Sequence, residues 1–153
     1  MKRISKSVLY SLAVFLIILC FSFKIPVTGK KGNLKVIATC IRNNNGKIGF
    51  CLFKKSDGFP NHPDKALLTA YVKVNGSISS FTFMGIDTGM YAVSVFHDEN
   101  SDKQVNSNFI GIPTEGIGVS NNVKGHFGPP KFDDAKFDFN QAGETITIAI
   151  NYL

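Results

Sequence analysis

The chain has no tryptophan and only three histidines and three cysteines. Without tryptophan it lacks the Cys…Trp…Cys signature of antibody-type domains. The histidines, His62, His97 and His126, share no ligand spacing such as H-x-x-x-H, which argues against a histidine-built metal centre. Lysine and arginine do not cluster with interleaved aromatics, which argues against nucleic acid as a partner. No segment after the first carries a sustained apolar period of 3.6, so long amphipathic helices are not expected. Ser120 sits in "GVSNN", which is not the G-x-S-x-G of a nucleophile elbow. "GIGVSN" lacks the third glycine and the βαβ setting of a dinucleotide loop. Asp133 and Asp134 are adjacent before a strand, where neighbouring side chains point apart and make no acid/base pair. No internal repeat is present.

What is there begins with an export signal. "MKRISK" is a basic n-region, and "SVLYSLAVFLIILCFSF" is an apolar run of signal-peptide length. Residues 1–29 therefore read as a signal peptide and 30–153 as one domain. The alternative is an uncleaved anchor, because the run nearly reaches the ~18 apolar residues of a spanning helix. Cleavage fits after Ser22, with Cys20 at −3, or after Gly29, with Val27 at −3. Lipid attachment at Cys20 is disfavoured by the bulky Leu19 before it. Losing Lys2, Arg3, Lys6 and Lys24 takes the formal charge from +6 to +2. The basic pI is thus partly a property of the signal. Any membrane contact is expected through this N-terminal segment alone. The location expected is periplasmic or cell-envelope.

The remainder reads as β structure. "LKVIATCIR" and "KIGFCLFK" flank Asn45-Gly46, and "LLTAYVKV" and "SISSFTFM" flank Asn75-Gly76. Asn-Gly is a strong hairpin signal, because both residues tolerate positive φ. "GMYAVSVFHD" alternates, with Tyr91, Val93 and Val95 opposed by Ala92, Ser94 and Phe96. "AKFDFN" and "TITIAINYL" supply two final strands. About seven short strands predict an all-β, antiparallel sandwich of the immunoglobulin or transthyretin kind, with one long ordered loop. A two-residue turn at Asn45-Gly46 would set Cys40 opposite Cys51, close enough for a disulfide in an oxidising space. Other turns within "NNNG" shift that register and leave both thiols reduced.

From Asp98 to about Asp134 there is little strand or helix signal, too long a span for an ordinary connection, and "HDENSDKQVNSNFIGIPTEGIGVSNN", 97–122, opens it. Its acidic start places Asp98, Asn100 and Asp102 at alternate positions, as in the first half of many calcium loops. Lys103 and Phe109 stand where an EF-hand needs glycine and glutamate, so an EF-hand is rejected. A looser calcium site with Asn106, Glu115 or a backbone carbonyl is one reading. A polar turn in which Asp98 and Asn100 accept local backbone hydrogen bonds is the other. The apolar residues Phe109, Ile110, Ile112, Ile117, Val119, Phe127 and Phe132 make a disordered tail untenable. They are expected to dock on the sandwich, with Phe109, Ile112 and Phe127 as anchors and the acidic start exposed.

"GMYAVSVFHDEN", "FIGIPTEGIGVSNN" and "FGPPKFDDAKFDF", in that order, resemble a family of small exported bacterial proteins, domain-of-unknown-function family 2141. "GKIGFCLFKKSDGFP" also fits that family's opening segment. The resemblance runs from about Leu34 to Leu153. The family pattern falls on His97, Asp98, Asn100, Asn106, Gly111, Pro113, Glu115, Gly116, Ser120, Asn121, Pro129, Pro130 and Ala135. Lys103 and Gln104 stand where the pattern has more glycine or acidic character. The resemblance implies a sandwich fold and export, and no particular activity. The leading expectation is a non-enzymatic exported module that binds an envelope protein or small ligand. Its candidate contact residues are His97, Asp98, Asn100, Glu115, Ser120 and Asn121. The alternatives are a metal-dependent hydrolase using His97 and Asp98, and a purely structural envelope domain.

Overall fold

The computed structural model describes residues 30–125 and 128–152. The proposed signal segment, His126 and Phe127 lie outside the described residues. Eight strands form two facing sheets: β1 (Lys31–Thr39), β2 (Lys47–Phe53), β3 (Leu68–Lys73), β4 (Ser79–Asp87), β5 (Gly89–Asp98), β6 (Ile117–Val119), β7 (Phe137–Phe139) and β8 (Gly143–Ala149). The smaller sheet has the order β4-β1-β8. The larger has β3-β2-β5-β6, with β7 also paired to β5.

Burial follows the period of each strand. In β1, Leu34, Val36 and Ala38 face the core, while Lys31, Asn33 and Lys35 face water. This is the alternation of a sheet with one wet face. In β2 and β5 burial is nearly continuous, from Ile48 to Phe53 and from Tyr91 to Asp98. The larger sheet is therefore covered on both faces. Tyr91, Val93 and Val95 join Leu34, Val36 and Ile148 in the core between the sheets. Cys51, Phe53 and Phe96 form a second cluster on the outer face, with Phe59, Phe132 and Ile117 packed against it. Phe59 stacks edge-on to both Phe53 and Phe132. The 54–66 segment, with a cis Phe59-Pro60 bond, and the one-turn helix α1 (Phe132–Ala135) thus add a third layer.

Three expectations about pairing change. Neither Asn-Gly turn closes a hairpin. β1 pairs with β4 and β8, and β2 pairs with β3 and β5. Gly46 and Gly76 do have positive φ, but each turn carries the chain from one sheet to the other. The Cys40–Cys51 disulfide fails for this reason: its geometry required β1 and β2 to be neighbours. Both cysteines are free, Cys40 exposed and Cys51 buried. Burial pushes the Cys51 thiol up to about 12, so it packs as an apolar side chain. Finally, the sandwich is not wholly antiparallel, since β1 and β8 run parallel with Val36 opposite Ile146. The all-β two-sheet class stands, and its likeness to an immunoglobulin fold is approximate.

Candidate functional site

The 97–122 stretch leaves the end of β5 and returns as β6. Its base is built around two buried carboxylates. Asp98 is fully buried, and Glu115 is nearly so. Asp98 Oδ1 accepts the N–H of Asp102 at 3.0 Å and Oδ2 accepts that of Lys103 at 3.1 Å. Glu115 Oε1 accepts the N–H of Glu99 at 3.0 Å and Oε2 that of Asn106 at 3.1 Å. Ser101 and Lys103 adopt positive φ, so the chain winds tightly and leaves these N–H groups without strand partners. An irregular backbone needs acceptors from somewhere, and the carboxylates supply them. Burial raises the Glu115 pKa, and the charges of Asp98 and Asp102 add to the rise. The two backbone donors offset part of it.

The expected orientation is therefore inverted. Asn100 and Asp102 are exposed, as expected, but Asp98 is buried. Asn100 Oδ1 accepts the Asp102 N–H at 3.0 Å, and Asp102 Oδ2 accepts the side-chain amides of Asn100 and Asn106, each at 2.9 Å. Hydrogen bonds from Asn106, Asn100 and the Gln104 backbone hold the Asp102 carboxyl below its usual range. This is the geometry of a polar turn. Phe109 is 98% exposed, with Ile110 and Ile112 also exposed, so neither Phe109 nor Ile112 is an anchor. The third expected anchor, Phe127, lies outside the described residues. Val119, Ile117 and Phe132 do pack on the outer face of the larger sheet.

The tip is a small closed hairpin. The Asn108 N–H donates to the Ile112 carbonyl, and the Gly111 N–H to the Asn108 carbonyl. The Asn108 side-chain oxygen accepts the N–H groups of Ile110 and Ile112, at 3.1 and 2.9 Å. Beside the tip runs a groove of about 540 Å³. Ile117, Val119 and Val123 line it, with Ile112 and Pro113 from the tip, Pro129 and Pro130 opposite, and Lys124, Asn61, Asn151 and Tyr152 as its polar groups. The side-chain oxygen of Asn61 is buried there without a hydrogen-bond partner.

His97 is fully buried and committed on both ring nitrogens. Nε2 lies 2.8 Å from the Asn45 carbonyl, which can only accept, so the proton sits on Nε2. Nδ1 lies 2.8 Å from the Tyr152 hydroxyl and 3.3 Å from the Glu99 carboxylate. Tyr152 in turn accepts the Arg42 N–H at 3.1 Å. Both ring nitrogens thus have partners within the fold. Ser120, which is buried, and Asn121, which is exposed, both serve as structural ties. Ser120 Oγ accepts the Val93 N–H at 3.0 Å and donates to the Ala135 carbonyl at 2.7 Å. Asn121 donates to the carbonyls of Asp134 and Lys136. Asn122, missed in the sequence, bonds the β8 backbone at Thr147 and Ala149 in the manner of an added strand.

Arg42 and Glu99 form a two-point ion pair across the loop base, at 2.7 and 2.9 Å. The Arg42 hydrogen bond, more than any other contact, holds the Glu99 carboxyl below its usual range. A depressed carboxylate stabilises the fold above its unfolded pKa and loses that contribution as pH falls through the folded value. Both partners are partly exposed, so the effect is limited to about 1 kcal/mol. Glu99→Gln should therefore flatten the acid limb of the stability–pH curve below about pH 4.5. Melts from pH 3 to 7 measure this, and an unchanged acid limb would show that the pair contributes nothing.

Taken together, the chain is a two-sheet, all-β domain whose long β5–β6 connection forms a carboxylate-tied base carrying an apolar tip. It belongs to the family described as an uncharacterized protein conserved in bacteria, domain of unknown function 2141, whose model matches residues 36–147. No curated protein matches it. Among solved structures it is similar to the crystal structure of a fimbrial assembly protein from Parabacteroides distasonis ATCC 8503. Identity there is 10% and the TM-score 0.40, over 80% of this chain and 53% of that one. The chain thus spans about half of that protein's length.

Proposed function

We propose that the protein is an exported, non-enzymatic binding or accessory module working through the 97–122 loop, with the 109–112 tip and the adjoining groove as contact surface. The observation that carries this reading is the loop's inversion. Carboxylates are buried where they fix backbone, while Phe109, at 98% exposure, stands in water on a tied hairpin. Leaving such a side chain exposed forgoes about 1.5–3 kcal/mol of burial. A loop that only closed the sandwich end would turn it inward. The groove volume also falls in the range of small-molecule sites. The hydrolase reading gains no support from His97 and Asp98, whose polar atoms are all engaged.

A photo-crosslinking residue at 109, expressed in cells, should label one dominant partner species, whereas the same residue at Met84, exposed on the smaller sheet, should not. Equal labelling at both positions would remove the reading. Export is tested separately. N-terminal sequencing from the envelope fraction should find a chain beginning between Phe23 and Lys30, and intact Met1 would establish an anchor instead.

Calcium is the second reading of the loop base. What favours it is the convergence of Asn100, Asp102 and Asn106 side chains on one exposed point, wound there by the left-handed Ser101 and Lys103. Among the described residues no three His, Cys, Asp or Glu side chains come together, so amide oxygens would have to serve as ligands. A melting temperature raised by millimolar calcium over chelator supports the ion. Equal temperatures leave the hydrogen-bonded turn as the sole organiser.

A further inference from the structure

We propose that the 109–112 tip inserts into the surface of a lipid bilayer, a membrane contact separate from the N-terminal segment. This rests on the reading of the loop as the working surface and names its target. Three observations favour lipid over a protein groove. The exposed side chains of Phe109, Ile110 and Ile112 are contiguous, and no charged residue occurs from Gln104 to Thr114. Of the five N–H groups from Asn108 to Ile112, those of Asn108, Ile110, Gly111 and Ile112 already have acceptors within the tip, and that of Phe109 alone has none. A hydrocarbon environment offers no hydrogen bonds, so a segment that satisfies most of its own backbone enters it, to the depth of the headgroup boundary, at lower cost. Lastly, Lys124 borders the groove beside Gly111 and Ile112 and forms no ion pair among the described residues, which suits an anionic headgroup layer. The nearest carboxylates in the chain, Asp102 and Glu115, belong to the loop base, where amides hold them.

The absence of tryptophan makes the test clean, because Phe109→Trp installs the sole tryptophan in the full chain, which is excited selectively at wavelengths where the four tyrosines do not absorb. With vesicles of phosphatidylethanolamine and phosphatidylglycerol, its emission should shift to the blue and be quenched by lipids brominated in the acyl chain. Met84→Trp, on the exposed face of β4, should show neither change. Adding Ile110→Ser and Ile112→Ser to Phe109→Trp should lower the insertion constant about tenfold for each residue. Unquenched emission at 109 on vesicles that carry the protein would overturn the proposal. A blue shift that follows protein concentration without lipid would overturn it in favour of a second copy of the chain. In either event, crosslinking from 109 to a protein would leave the working-surface reading intact. A position 109 silent in both experiments would remove both.

Discussion

Asp98→Ala is expected to destabilise the fold by about 3 kcal/mol and to open the 99–106 segment to protease. The carboxylate is buried and accepts two backbone N–H groups, those of Asp102 and Lys103. Hydrogen bonds to a charged acceptor contribute about 1.5–3 kcal/mol each, and an orphaned donor costs a similar amount where water cannot reach it. Lys103 is itself exposed, so water recovers part of the loss. The Asp102 N–H keeps Asn100 Oδ1 as an acceptor, which holds the total to the contribution of about two charged hydrogen bonds rather than that plus two orphaned donors. For a chain of this length the change corresponds to a fall of about 6–12 °C in melting temperature. Asn100→Ala removes one exposed turn acceptor and should cost less than about 1 kcal/mol. The serine-substituted tip, Phe109→Ser with Ile110→Ser, should melt within a degree or two of wild type. Melts with limited proteolysis check the series. If Asp98→Ala melted like Asn100→Ala, the buried carboxylate would not be what holds the base together.

The strands were legible in the sequence because a half-buried strand writes its period into its side chains. β1 alternates as Leu34, Val36 and Ala38 against Asn33 and Lys35. Their partners were not legible. Asn45-Gly46 and Asn75-Gly76 state that the backbone goes left-handed, and that much is correct. They do not state whether the chain then returns beside the strand it left or crosses to the facing sheet. β4 and β8, both farther along the chain, take the two places beside β1 and leave none for β2. The loop misled for a related reason. Apolar content predicted burial of Phe109 and Ile112, but burial there was decided by backbone hydrogen bonding. Winding through Ser101 and Lys103 left N–H groups in need of acceptors, which drew Asp98 and Glu115 inside. Tyr152, which bonds His97, and Arg42, which bonds Tyr152, are distant in the chain and carry no local signal.

The two Asn-Gly turns should respond unequally to the same substitution, with Gly46→Ala costing on the order of 3–4 kcal/mol and Gly76→Ala about 1. Both glycines have positive φ, +62° and +91°, so both alanines carry the penalty of a left-handed L-residue, about 1–2 kcal/mol. Both also shrink the unfolded ensemble alike, which offsets part of that penalty equally. The difference lies in space. A Cβ at 76 meets nothing within 4 Å, whereas one at 46 overlaps the carbonyl oxygen of Asp98 and crowds the Glu99 backbone. Backbone cannot rotate aside as a side chain would, so the end of β5 must move. That movement reaches the site, because Asn45 beside it accepts the Nε2–H of His97 and Asp98 anchors the loop base. Overpacking of this kind adds about 1–3 kcal/mol. Gly46→Ala should therefore also quicken cleavage in 99–106, while Gly76→Ala leaves it unchanged. Urea midpoints of the two variants, read with the proteolysis rates, decide the matter. Equal losses would mean that the turn at Gly46 is free of β5 and that the loop base does not rest on it.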